Sequence, residues 1–121
     1  MTILLADDNE KNRELLRTVL AHLGHLTVEA ADGRAAVDLA ARTNPAVIIL
    51  DLQMPNLDGF GALRELRAME AFRETPILAL TAYAMDGDRE KALANGFSAY
   101  LAKPIRLATL RAELARWTAA A

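Results

Sequence analysis

Cysteine is absent from the chain, which removes disulfides, thiolate zinc sites and cysteine nucleophiles from consideration. Long hydrophobic runs are missing too, since none approaches the ~18 apolar residues of a membrane span. There is no basic stripe of the kind a nucleic-acid binder uses. Lysine and arginine are spread along the chain, and the formal net charge is −2. The amino terminus runs from Met1 into the strand-like Thr2-Ile3-Leu4-Leu5-Ala6 and then meets acid. That stretch is too short for a signal peptide and lacks a basic leader. The expectation is a soluble, cytoplasmic protein with neither nucleic-acid nor membrane partners. Linkers, repeats and low-complexity segments are lacking, apart from a short alanine-rich carboxyl terminus. The 121 residues, 53% of them hydrophobic, suffice for one core, and a single domain over residues 1–121 is expected.

What is present is an alternation, repeated five times, of short apolar runs and stretches of helical period. Ile3-Leu4-Leu5-Ala6 reads as the first strand. Glu10 to Leu23 reads as a helix with Leu15, Leu16, Val19, Leu20 and Leu23 on one face, stopped by Gly24. Leu26 to Ala30 is a weaker strand, followed by a helix that Asp32 caps and that ends near Thr43, before Asn44-Pro45. Ala46-Val47-Ile48-Ile49-Leu50 is apolar on both faces, as befits a central strand of a buried parallel sheet. A loop over Gln53 to Gly59 follows, with Asp58 suited to cap a helix carrying Phe60, Leu63 and Leu66. Pro76 opens the strand Ile77-Leu78-Ala79-Leu80, and Asp86 is placed to cap a short polar helix that stops at Asn95-Gly96. Ala99-Tyr100-Leu101 is the last strand. Leu107, Leu110, Leu114 and Trp117 mark the last helix, with Arg106 near its cap. Five such units imply an α/β fold, a doubly wound parallel sheet with helices on both faces.

In such a sheet ligands bind at the carboxyl ends of the strands, where the strand order reverses. Strand one there meets Asp7-Asp8, strand three Asp51, strand four Thr81, and strand five Lys103-Pro104. Each has an ordinary reading alone: an Asp pair as a helix cap, a threonine as a strand residue, Lys-Pro as a solvated turn. Together they converge on one sheet edge. Clustered carboxylates repel, and a hard cation relieves that repulsion. Oxygen-only ligands point to Mg²⁺, with Mn²⁺ as an alternative, rather than zinc. A carboxylate left over is a nucleophile for phosphoryl groups. The Lys103 ammonium would neutralise phosphoryl charge and the Thr81 hydroxyl would donate to a phosphoryl oxygen.

On these residues the chain resembles the receiver domains of two-component response regulators from Ile3 to Trp117. The matching pieces are Asp7-Asp8-Asn9, Val47 to Asp51 with Met54-Pro55 and Asp58-Gly59, then Thr81-Ala82 and Lys103-Pro104. The resemblance implies the strand order 2-1-3-4-5 of flavodoxin-like folds. It implies Asp51 as phosphoacceptor, Asp8 and Asp51 as Mg²⁺ ligands with Asp7 acting through water, and the Gln53 backbone carbonyl completing the set. Thr81 and Ala82 match the switch segment, Lys103 the phosphoryl-binding lysine, and Tyr100 the aromatic that rotates inward. Pro104 matches a position where a cis Lys-Pro bond is often found. Gln53 and Tyr83 occupy the two positions that tune phosphoryl lifetime. There the Tyr83 ring either screens the acyl phosphate or, with Met85, covers the loop or meets a partner.

The implied function is a phosphorelay switch that acts on itself and is not a turnover enzyme. The donor would be a histidine kinase or a histidine phosphotransfer protein. Readout would pass through the face of helix four, strand five and helix five to a protein target, with the protein a monomer or a phosphorylation-dependent dimer. The stretches Asp7 to Arg13 and Thr81 to Met85 look most like stand-alone cell-cycle regulators and the receivers of hybrid histidine kinases. A chain that begins at Met1 and stops one helix after Lys103 favours the stand-alone kind. Rival readings fit less well. An Asp-nucleophile phosphatase places a second Asp two positions after the first, and Asn9 stands there. A flavin carrier would want a phosphate cradle after strand one, where Asp7-Asp8 would repel phosphate. A docking scaffold without phosphorylation leaves the full residue set unexplained.

Overall fold

The central apolar runs become strands because helices cover their side chains on both faces, while the edge run Leu26–Ala30 stays partly open. The computed structural model describes residues 1–82 and 87–118. The strands are β1 (Thr2–Ala6), β2 (Leu26–Ala30), β3 (Val47–Asp51), β4 (Ile77–Thr81) and β5 (Ala99–Ala102). The helices are α1 (Glu10–His22), α2 (Gly33–Thr43), α3 (Gly59–Ala68), α4 (Asp88–Ala94) and α5 (Leu107–Thr118), with one 3₁₀ turn at Glu70–Phe72. All strands pair in parallel, in the order β2-β1-β3-β4-β5. The expected doubly wound α/β fold, with its 2-1-3-4-5 order, is the one observed.

Alternation along the strands sorts the core into two layers. Leu4, Ile48, Leu50 and Ile77 pack with Ala36, Val37 and Ala40 of α2, Leu63 and Leu66 of α3, and Ala92 of α4. Ile3, Leu5, Ile49, Leu78, Leu80 and Leu101 pack with Leu16 and Leu20 of α1 and Leu110 and Leu114 of α5. Strands β3 and β4 are buried along their whole length. Each fully buried leucine or isoleucine there contributes about 1.5–3 kcal/mol relative to exposure.

Helix starts follow local side-chain chemistry. Asn9 accepts from the Asn12 N–H, Asp32 from Ala35 and Asp58 from Gly61, each satisfying a donor that the first turn leaves free. At α5 it is the backbone carbonyl of Arg106 that accepts the first helical bond, from Leu110. Asp86, expected to cap α4, lies outside the described residues. Gly87 stands at that helix start with φ 86° and no side-chain cap bond. Two leucines depart from expectation. Leu15 is 58% exposed and lines the groove beside α5, and Leu107, in the first turn of α5, also lies open.

Two contacts hold the sheet edges. At the end carrying the strand carboxyl termini, α3 starts directly against β3. A Cβ on Gly59 would lie 2.5 Å from the Asp51 carbonyl oxygen, so only glycine allows that approach. At the opposite end the Arg67 guanidinium donates to the carbonyls of Phe72, Thr75 and Gly96 at 2.7, 2.7 and 3.0 Å. It thereby ties α3, the start of β4 and the turn after α4. Its neighbour Ser98 accepts from the Ile77 N–H at 3.0 Å.

Candidate functional site

Because the chain turns outward from β1 to β2 and returns to place β3 on the other side of β1, the switch point lies between β1 and β3. Asp7 and Asp8 follow β1, and Asp51 closes β3. The pairings Asp51 with Leu80 and Thr81 with Ala102 carry the same edge across to β4 and β5. The Lys103 N–H then donates to the Thr81 carbonyl at 2.8 Å, which turns the Lys103 side chain back over the edge. The sheet thus brings Asp7, Asp8, Asp51, Thr81 and Lys103 together.

One carboxylate oxygen from each of Asp7, Asp8 and Asp51 lies within 4.8 Å of the others. Asp7 is fully buried, Asp51 is 5% exposed and Asp8 is open to solvent. The Lys103 ammonium stands 2.7 Å from Asp51 Oδ2 and 2.7 Å from Asp7 Oδ2. It donates a hydrogen bond to the first, while Asp7 Oδ2 has the ion pair without a hydrogen bond in good geometry. Asp51 Oδ1 accepts from the Gln53 N–H at 2.9 Å, and Asp7 Oδ1 from the Asn9 N–H at 2.9 Å. The Gln53 carbonyl accepts no hydrogen bond among the described residues.

Burial dominates the electrostatics of Asp51. Desolvation pushes its carboxyl above the ordinary 3.8, and the Asp7 charge adds to that. The Lys103 and Gln53 hydrogen bonds oppose it without cancelling it. For Lys103 desolvation pulls downward, but the two carboxylates together outweigh it and the ammonium is held above 10.5.

Three carboxylates are gathered here and Lys103 pairs with two of them, leaving an excess of negative charge among the described residues. All their free atoms are hard oxygens, and Asp8 has no partner among the described residues. That donor set suits a small divalent cation. Thr81 is 3% exposed and Ala82 is open to solvent. The Lys103–Pro104 peptide bond is cis. Tyr83 lies outside the described residues, as does Met85.

Tyr100, on β5, is half-buried against the α2–α4 layer, and its hydroxyl is buried without a hydrogen-bond partner among the described residues. Desolvation, then the charge of Asp88, holds its phenol above 10.0. An unsatisfied buried hydroxyl costs about 1–3 kcal/mol. Tyr100→Phe should therefore raise stability by about 1 kcal/mol and the melting temperature by roughly 4 °C. A lower melting temperature in a thermal scan would mean that the hydroxyl is satisfied in solution.

Residues 3–115 match the response regulator receiver domain, and the chain belongs to that family of two-component signalling proteins. It is 36% identical over 104 residues to the polar-differentiation response regulator DivK of Brucella ovis, spanning 86% of this chain and 85% of that protein. Among solved structures, the receiver domain of the sensor histidine kinase PA1611 from Pseudomonas aeruginosa is 45% identical. It superimposes with a TM-score of 0.89 over 96% of this chain and 95% of that one, and it carries a magnesium ion coordinated in its active site cleft. The chemotaxis protein CheY4 of Vibrio cholerae is 32% identical with a TM-score of 0.88, over 95% of this chain and 96% of that one.

One residue at the site gave no signal in the sequence. Arg13 Nη1, on α1, donates to the Asp7 carbonyl at 2.7 Å. Its acceptors, a backbone carbonyl and the Glu29 carboxylate on another element, leave no spacing signature.

Proposed function

We propose that Asp51 accepts a phosphoryl group from a phosphohistidine donor, and that Asp7, Asp8, Asp51 and the Gln53 carbonyl hold Mg²⁺, or Mn²⁺ in its place. The observation that carries this reading is the cluster itself: three carboxylates gathered at the switch point, two of them paired with Lys103. When bound, the cation supplies positive charge to the phosphoryl oxygens and neutralises the carboxylates. An Asp51 oxygen attacks phosphorus, the new O–P bond forms as the donor's N–P bond breaks, and the electron pair leaves with the imidazole. Lys103 meets the charge of the incoming group and Thr81 donates to one of its oxygens. The domain modifies itself and turns over no separate substrate.

Readout follows from the same groups. Drawing Thr81 toward a phosphoryl oxygen moves the end of β4, and the Tyr100 ring, whose hydroxyl has no hydrogen-bond partner among the described residues, is free to change place. The face of α4, β5 and α5 then differs between the two states, and a target protein reads it. A cavity of about 410 Å³ lined by Leu15, Leu16, Val19, Ile105 and Leu110 opens beside Lys103. Whatever covers it sits at the acceptor, so it suits a histidine kinase or phosphotransfer protein as donor.

We read the protein as a stand-alone cytoplasmic regulator, in keeping with its likeness to DivK along 85% of that protein. The 45% identity to a sensor-kinase receiver supports the second reading, a receiver from a hybrid kinase. Among the described residues no helix is long and apolar enough to cross a membrane.

Intact mass after incubation with a small acyl phosphate tests the chemistry. One added phosphoryl group in Mg²⁺ and none in excess chelator is the expected result. Equal uptake in both would sink the cation's role.

A further inference from the structure

The loop from β1 to α1 holds two of the three carboxylates, yet only one is anchored. Asp7 is fixed on all sides. Its N–H donates to Ala30, Oδ1 accepts from Asn9, and Oδ2 faces Lys103. Asp8 is exposed, and no described group bonds its side chain. What sets the direction of the Asp8 carboxylate is the backbone, which is held on both sides: after it by the Asn9 N–H on Asp7 Oδ1, and before it by Arg13 on the Asp7 carbonyl. Arg13 Nη1 donates to the Asp7 carbonyl at 2.7 Å. Because the peptide unit is planar, orienting that carbonyl orients the whole Asp7–Asp8 peptide and hence the Asp8 Cα.

The guanidinium is itself held. Arg13 Nε lies 3.3 Å from Glu29 Oε1 on β2, and the two side chains are only 17% and 23% exposed. Arg17, one turn further along α1, pairs with the same carboxylate but is half exposed, and among the described residues it makes no hydrogen bond or ion pair to the loop. Arg13 therefore uses two edges of its planar fork at once, one on a carbonyl and one on a carboxylate. Lysine, a compact point charge without the planar fork, would not reproduce that two-edged geometry.

We propose that Arg13 is a positioning residue for the divalent cation, fixing the Asp7–Asp8 peptide, with Glu29 holding the guanidinium in register. The inference rests on the Mg²⁺ reading above. Outer partners that orient metal ligands typically account for 10–100-fold in metal affinity. Glu29 also offsets the charge of a cation placed this near a cation site, which by itself would repel Mg²⁺.

That repulsion makes the test decisive, because the two effects of removing Arg13 have opposite signs. Losing a nearby positive charge tightens Mg²⁺ binding, whereas losing a brace weakens it. Mg²⁺ is titrated calorimetrically into the full chain, wild type and variants, with bound Mn²⁺ counted by electron paramagnetic resonance as a second readout. Arg13→Met is expected to bind Mg²⁺ about tenfold more weakly, and Arg13→Lys to recover little of that. Glu29→Gln, which leaves Arg13 in place, should show a smaller loss. Arg17→Met, which removes a cation from the same carboxylate without touching the loop, should be unchanged or slightly tighter.

Thermal melts without metal separate a folding defect from a binding one. If Arg13→Met melts lower but the folded protein binds Mg²⁺ as tightly as wild type, or more tightly, the brace is refuted and Arg13 is structural. Wild type that binds no Mg²⁺ at all would refute the cation reading itself, and the brace with it.

Discussion

Asp51→Asn is expected to take up no phosphoryl group from any donor, and also to melt at a higher temperature than wild type in chelator at neutral pH. The first half follows from chemistry, since an amide oxygen is no nucleophile toward phosphorus and no other carboxylate here occupies the same place. The second half follows from the folded-state pKa. Burial, reinforced by Asp7, raises the Asp51 carboxyl above its ordinary 3.8 despite Lys103. An acid whose folded pKa lies above its unfolded one weakens the fold wherever it is ionised. That penalty is fully present above the folded pKa and vanishes below the unfolded value. Asparagine keeps the shape and the acceptor for the Gln53 N–H while removing the charge. The difference in melting temperature between the two proteins should therefore shrink as the pH falls toward 3.8. A variant that melts lower than wild type at pH 7 would show that the Lys103 hydrogen bond outweighs desolvation. Function and stability then oppose each other at this position, as they often do at active sites.

Lys103→Met should move stability the other way, by about 3 kcal/mol in chelator, or roughly 10 °C in melting temperature. The ammonium sits between Asp7 and Asp51 at 2.7 Å from each, and all three side chains are largely buried. Removing it leaves two carboxylates facing one another with no counter-charge, the costly way to break a buried pair. Two further results would tie the loss to that cause. Saturating Mg²⁺ should restore more stability to the variant than it adds to wild type. The double variant Asp51→Asn, Lys103→Met should lose less than the lysine change alone, a coupling read from the double-mutant cycle. Additive effects would mean that Lys103 contributes through packing of its stem and not through its charge. Phosphoryl uptake should fall in either case, because the group that meets the phosphoryl charge is gone.

The architecture was legible wherever burial is complete. Val47 to Leu50 is apolar on both faces and is followed at once by Asp51, a pattern that marks a central strand and the chemistry at its end together. Thr81 and Lys103 were found by the same logic, since each follows an apolar run and the topology carries those ends to one edge. The Asp32 and Asp58 caps were legible because capping depends on a side chain and a donor three residues on. Legibility fails where a side chain's role depends on a distant partner. The spacing of Leu15 with Leu16, and of Leu107 with Leu110, gives the period of a helix but not the width of its buried stripe. That width is set by how α1 and α5 lean on the sheet. Arg13 and Arg67 were invisible for another reason. Their acceptors are mostly backbone carbonyls, which every residue has, so no residue type at any spacing announces them. The single hint was Glu29, an acid inside a strand, which needs a cation from some neighbouring element.

The two ends of the sheet differ in what they answer to. Where the strands begin, the Arg67 guanidinium joins α3, β4 and the turn after α4 through uncharged oxygens, whose bonding protonation and ionic strength barely alter. Where they finish, three acids and one lysine stand within a few ångströms, and each added proton, salt ion or phosphoryl group changes their balance. The molecule is thus built as a lever clamped at an electrically deaf end, with all of its hearing at the other.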